Sequence, residues 1–236
     1  MAAEIEALEQ TAARAWPPMT LGALGGWRLH ASSGFSGRAN SCWPIGAPDR
    51  PLEAWYAALG LPALFKPVDG RASRPLSRAL AARGYRPRTE TLMMTGPLDA
   101  PDDGGASVSD QLDAGFCALF TSVQDDPADA AERIETLRRI APPRAFASAA
   151  IEGRTAAIGA VAVEGDWAGV FAMRTASEHR RRGLARSVVG ALFAAARRAG
   201  AKRAWLQVEA DNAGAIRLYD GLGFREAYRY RYWDRP

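Results

Sequence analysis

The chain has 236 residues, 48% apolar and 24% charged, a balance that excludes disordered, collagen-like and coiled-coil architectures. Its longest apolar stretches, such as 188–196, are interrupted well short of the roughly 18 residues a membrane span needs, so no membrane association is expected. The formal net charge of +4 is unevenly spread: residues 101–179 carry 6 Arg against 13 Asp plus Glu, whereas residues 180–236 carry 13 Lys plus Arg against 5 acids.

The positive charge is sharpest in one short loop, His179-Arg180-Arg181-Arg182-Gly183. A duplex-binding face spreads its cations along a helix or interleaves them with aromatics. This pattern suits a small anion, and no nucleic acid is expected as a partner. Cys42, Cys117, His30 and His179 offer no paired metal-ligand spacing, so no metal is expected and the two thiols read as small buried hydrophobes. The opening MAAEIEALEQTAARAW has acids where a signal peptide has a basic start and an apolar run, which points to a cytoplasmic protein.

In chain order, apolar spacing predicts a helix over 3–16, ended by Trp16-Pro17-Pro18. Strands are expected over 26–30 and 39–45, with a turn at Ser32-Ser33-Gly34. A helix over 52–59, a short strand over 64–68, a helix over 75–82 closed by Gly84 and a strand over 89–95 follow. The segment GPLDAPDDGG, residues 96–105, has no periodicity and reads as a linker, which divides the chain into units 1–100 and 101–236. Beyond it come helices over 111–123 and 128–140, strands over 144–151, 155–163 and 170–175, and a helix over 184–199. A strand over 204–208, a helix over 213–221 and a strand over 227–233 complete the chain.

Strand, helix and strand recur in the same order in the two halves. Val68 to Gly84 and Val208 to Gly223 span 16 and 15 residues, and each closes on a Gly-aromatic pair, Gly84-Tyr85 and Gly223-Phe224. That agreement points to internal duplication.

Chemistry concentrates in VFAMRTASEHRRRGLARSVVGALFAAARRAG, a strand, a polar loop and a long helix. It lacks the Gly-Lys-Ser/Thr ending of a nucleoside-triphosphate loop and the three glycines of a dinucleotide fingerprint. Small residues at Gly183 and Ala185 let a ligand approach the backbone. The amides and dipole of the first helical turn face an anion, and Arg180, Arg181, Arg182 and Arg186 add charge.

Arg180-x-x-Gly183-x-Ala185 after a strand, followed by Val208, Asn212, Ala215, Tyr219 and Gly223-Phe224, resembles the GNAT acetyl-CoA-dependent N-acetyltransferases over roughly residues 106–236. The first half, with Trp27 and Arg38-Ala39-Asn40-Ser41, is similar to the degenerate first domain of tandem GNAT proteins. There Gly46-Ala47-Pro48-Asp49-Arg50 replaces the glycine loop, so that half is expected to hold no cofactor. The resemblance implies an α/β (α+β) fold of two GNAT-like domains, each with a mixed, mostly antiparallel sheet flanked by helices.

It also implies acetyl-CoA as donor and an amine of a small molecule or peptide as acceptor. Acetyl-CoA is then expected along Met173, Arg174 and Thr175, on Arg180, Arg181, Arg182, Gly183, Leu184, Ala185 and Arg186, and beside Asn212, Ala215 and Tyr219. Tyr219 is the family's thiol-facing tyrosine, whose plain alternative is a core residue; Asn212 also suits a helix cap. Glu209 and Glu178 are the candidate bases, with Glu209 preferred, and His179 reads as a loop residue. A catalytically silent acyl-CoA-binding module is the rival reading. The acids Asp125, Asp126 and Asp129 read equally as a lure for a cationic acceptor and as a solvated helix surface, and Trp27, Phe35 and Arg38 are candidates to line an acceptor cleft walled by the first half.

Overall fold

The structure, a computed structural model, describes residues 2–44 and 52–235. Helix α1 (Ala2–Ala15) is followed by strands β1 (Thr20–Leu24), β2 (Trp27–Ala31) and β3 (Cys42–Pro44), then by helices α2 (Leu52–Ala58) and α3 (Arg74–Ala82) and strand β4 (Arg86–Gly96). Then come β5 (Ser107–Ser109), α4 (Ala114–Thr121), α5 (Pro127–Arg139), β6 (Arg144–Ile151), β7 (Arg154–Glu164) and β8 (Trp167–Thr175). The chain closes with α6 (Leu184–Arg198), β9 (Arg203–Glu209), α7 (Ala213–Asp220) and β10 (Arg225–Asp234). The segment 46–50, expected to replace the glycine loop, lies outside the described residues, as does the end of the strand expected over 39–45.

Strands β1, β2 and β3 form a small antiparallel sheet, and a seven-stranded sheet runs β10-β4-β9-β8-β7-β6-β5. Only β8 and β9 pair in parallel in the large sheet. Its centre is covered on both faces, which explains the nearly unbroken small apolar run of β7. Ala157, Val161 and Val163 pack with α6, while Ile158, Ala160 and Ala162 pack with α1, α4 and α5. A strand buried on both sides needs apolar residues at every position.

The expected boundary does not coincide with an edge of either sheet. Strand β4, which precedes it, sits between β9 and β10, and the segment after it is no tether. Leu98 and Ala100 are buried with α6, Ser187 donates to Asp103 at 2.7 Å, and a Cβ on Gly190 would lie 1.9 Å from the Pro101 carbonyl oxygen. Pro and Gly here let the chain lie flat against a helix.

The strand expected over 64–68 forms isolated bridges instead. Phe65 pairs in parallel with Cys42 and antiparallel with Trp233, and Val68 with Tyr230. These bridges join the two sheets. Each half gives its last strand to the other: β4 pairs with β9, and β10 pairs with the 65–68 segment. The two exchanged strands then pair with each other.

Beneath α1, Lys66 forms a buried ion pair with Glu9, Glu9 accepts from the Tyr228 hydroxyl at 2.7 Å, and the Lys66 ammonium lies 4.9 Å from the Tyr230 ring centre. This cluster fastens α1 to strands from both halves. Both cysteines are free, and Cys42 is buried.

Candidate active site

The pairing of β8 with β9 stops at Val170 and Leu206. Beyond that point the two strands diverge, because β8 remains bound to β7 while β9 follows β4. A bulge at the divergence sets Ala172 and Met173 against Gly159 alone, with Ala172 at φ 54°. A side chain on Gly159 would meet the Met173 sulfur at 2.3 Å. Bulges of this kind re-aim the strand next to a site.

The gap opens into a cavity of about 390 Å³. One wall is Met173, Arg174, Val208, Glu209, Asn212, Ala215 and Tyr219, and the facing wall includes Trp16, Arg38, Phe120, Arg133, Tyr230 and Tyr232. Tyr219 is almost fully buried, and burial pushes its hydroxyl up to about 12, with nearby Arg38 acting in the opposite direction. The phenol therefore keeps its proton at neutral pH. Asn212 caps α7 by accepting from the Ala215 amide at 3.1 Å, and Glu209 stands at the exposed end of β9 on the cavity rim. Glu178 is exposed and bonded to the Ser177 hydroxyl, away from the cavity lining.

The basic loop follows β8 through a short 3₁₀ turn. Arg181 and Gly183 hold left-handed backbones, at φ 63° and 83°, and Gly183 caps α6. Among the described residues, the backbone N–H groups of Arg181, Arg182, Gly183, Leu184 and Ala185 have no hydrogen-bond partner, while those of Arg186 and Ser187 bond to the Gly183 carbonyl. Five open amides at the positive end of a 15-residue helix, ringed by Arg180, Arg181, Arg182 and Arg186, form an anion cradle. The cradle, Thr175 and the cavity follow one another from the end of β8, so the expected contacts divide between loop and cavity.

The facing wall was less legible. Of Trp27, Phe35 and Arg38, only Arg38 lines the cavity; Trp27 is in the core of the first half and Phe35 is exposed. None of the three acids expected to attract a cation lines the cavity: Asp125 is exposed, and the other two serve locally. Asp126 caps α5 through the Ala128 amide, and Asp129 binds Arg133, whose side chain lines the cavity. The buried carboxylate of Glu132 holds the Arg38 loop in place. It accepts from the amides of Ser33, Phe35 and Ser36 at 2.7, 3.2 and 2.7 Å, and from the Asn40 side chain at 3.0 Å. Nothing in the sequence joins residue 132 to residues 33–40.

Residues 2–233 match the family model described as "Probable histone acetyltransferase Rv0428c C-terminal". The chain belongs to that family. The Rv0428c protein of Mycobacterium tuberculosis, a probable histone acetyltransferase, is 31% identical over 98% of this chain and 74% of its own length. The uncharacterized N-acetyltransferase YobR of Bacillus subtilis is 26% identical over 97% of this chain and 98% of its own. A GCN5-related N-acetyltransferase from Kribbella flavida superposes with a TM-score of 0.67 at 18% identity, covering 100% of this chain and 95% of that one. Family and fold together make this chain a GNAT-type N-acetyltransferase. No helix among the described residues is long and apolar enough to cross a membrane.

Proposed function

We propose that this chain carries an acetyl group from acetyl-CoA to a primary amine by direct attack. The observation that carries the reading is the diverging β8–β9 pair, with the anion cradle at one end and the Tyr219 cavity at the other. Open amides of residues 181–185 suit the pyrophosphate, and the unpaired edge of β8 from Met173 to Thr175 suits an amide-bearing arm. The residues present therefore fit the donor.

The chemistry follows from where the groups stand. The neutral amine attacks the thioester carbonyl carbon, a backbone N–H of β8 near Met173 receives the oxyanion, and the C–S bond breaks. The departing sulfur takes the proton of the Tyr219 hydroxyl. The nitrogen gives up its own proton to Glu209 through water, and exchange with solvent restores both residues. A phenol near 12 is a weak acid toward a thiol of ordinary pKa about 8.5, so the transfer requires a thiolate made basic by burial in the same cavity. An amine with the pKa of Lys is neutral in only about one molecule in a thousand at pH 7, which is why a base at the rim matters.

We also propose that the fold arose by duplication of a GNAT-like unit whose first copy holds no donor. Support comes from the exchanged last strands and from the repeated Gly-aromatic closures. CoA binding measured by calorimetry should show one equivalent per chain. In Gly183→Asp, a carboxylate faces the cradle and affinity should fall at least tenfold. Two equivalents, or unchanged affinity in the variant, would refute the assignment.

A further inference from the structure

Both walls of the cavity carry cations. Arg38, Arg133 and Arg174 line the cavity, with Glu209 as the one carboxylate among its lining residues. Arg133 is neutralised by Asp129. Among the described residues, neither Arg38 nor Arg174 has an acidic side chain within ion-pair distance. Arg38 donates to the Gln207 carbonyl at 3.3 Å and lies 5.9 Å from the Trp16 ring centre. The Arg174 Nε is buried without a partner, on the same face as its cross-strand neighbour Ile158 and therefore toward α4 and α5. The Tyr230 hydroxyl is also buried and unpartnered, and Tyr230 lines the same cavity.

Uncompensated buried donors are costly, and an oxyanion seated in the cavity satisfies the two that Arg174 and Tyr230 leave open, with Arg38 supplying a second cation that no carboxylate neutralises. From this we propose that the acceptor is a small primary amine that also carries an oxyanion, a carboxylate foremost, held by Arg38 and Arg174 with the Tyr230 hydroxyl while its amine faces Glu209. A guanidinium pair reads a carboxylate with directional hydrogen bonds. The same pair repels a polyamine or a lysine-rich peptide. Glu132 acts on this site as a positioning residue, because its grip on residues 33–36 sets where Arg38 stands. The inference rests on the acetyl-transfer reading, and its test separates the two.

The experiment measures CoA release with α-amino acids and ω-amino carboxylates, each beside its own carboxamide, together with aminoalkyl phosphates and spermidine. The best carboxylate should exceed its carboxamide at least tenfold in kcat/KM. Arg38→Gln should raise its KM at least tenfold and leave the KM of acetyl-CoA within about threefold, and Arg174→Gln should likewise raise the KM of the carboxylate at least tenfold. Preference for an aminoalkyl phosphate would keep the oxyanion site and change its source. A carboxamide or spermidine used as well as the carboxylate would overturn the proposal, as would a rise confined to the KM of acetyl-CoA.

A second arm needs no turnover. On CoA-loaded protein, the N-acetylated amino carboxylates should raise the melting temperature of the wild type but not of Arg38→Gln, and their carboxamides should raise neither. If no amine releases CoA while this selective binding holds, the transfer reading fails and the oxyanion site stands. Equal binding of acid and amide sinks the site whatever the kinetics show.

Discussion

Each half of the molecule holds one parallel meeting of strands, open in one half and filled in the other. In the C-terminal half, β8 and β9 run parallel, part after Val170 and leave a cavity. In the N-terminal half, β3 meets the 65–68 segment in parallel at Cys42 and Phe65, but Trp27, Leu29, Tyr56, Leu80 and Tyr85 pack there into a closed core. Phe65 stands edge-on to both Trp27 and Tyr85, with ring centres 5.6 and 5.0 Å away.

Laying Gly84-Tyr85 on Gly223-Phe224 places Leu80 on Tyr219 and Ser73 on Asn212. Leu80 is buried apolar bulk where the other half offers a phenol. Ser73 makes no side-chain cap bond, whereas Asn212 does. A shared strand order is thus compatible with either a site or a core. Aromatic filling and the helix entry decide which of the two results.

The substitution expected to change the most is Tyr219→Phe, which gives the C-terminal half the unreactive character of its counterpart at Leu80. It should lower kcat about 10- to 10⁴-fold and leave the KM of acetyl-CoA within a few-fold. An unchanged kcat would mean that the phenol is packing, as Leu80 is, and that the two halves differ only in shape.

The cluster that ties the halves together should come next. Lys66→Met leaves Glu9 as a buried carboxylate bonded to Tyr228 alone, and should cost about 3–5 kcal/mol in chemical denaturation. A loss below 1 kcal/mol would show that the halves hold together without it.

Glu132→Gln retains the size of the side chain but turns one of its oxygens into a donor facing backbone N–H groups. It should cost about 2–3 kcal/mol and loosen the loop that carries Arg38. Hydrogen exchange should then speed up at Ser33, Phe35 and Ser36. Unaltered protection at these three amides would contradict the clamp.

An effect of comparable size depends on pH. Burial, reinforced by the nearby Lys66 ammonium, depresses His30 to about 4, against the opposing influences of the Arg38 carbonyl and Glu9. The unfolded chain binds this proton near 6.5 while the folded chain does not, so stability rises with pH across that interval. Acidification from pH 6.5 to 4 should remove up to about 3 kcal/mol through His30 alone. His30→Gln should flatten that part of the profile, and a slope identical in the two proteins would show that His30 is not its source.

Much of the local structure follows from the sequence because its signals are local. The helix at 184–198 was legible in its apolar spacing and in Gly183 at its entrance, and β6 begins and ends where alternation and the Glu152-Gly153 turn place it. The short strands β1 and β5 were missed, since segments of five and three residues carry too little periodicity. The glycine entry to α6 and the place of Tyr219 on the inner face of α7 were readable because a helix entry and a helix face are set by residues within one or two turns.

What the sequence determined by itself is therefore most of the longer elements and the basic loop at the start of α6. Tertiary structure decided the rest. The 65–68 segment and β10 meet by backbone hydrogen bonds, such as Phe65 N–H to the Trp233 carbonyl at 2.9 Å, and such bonds carry no side-chain signature of their partner. The same holds for Glu132, which binds amides 96 to 99 residues away, and for Arg38 and Arg174, which meet one cavity from opposite halves. Charge counted along the chain pointed to an acidic acceptor face. Folding spends Asp126 on a helix cap and Asp129 on an ion pair and turns arginines inward, because burial and geometry, not composition, determine which charges a ligand meets.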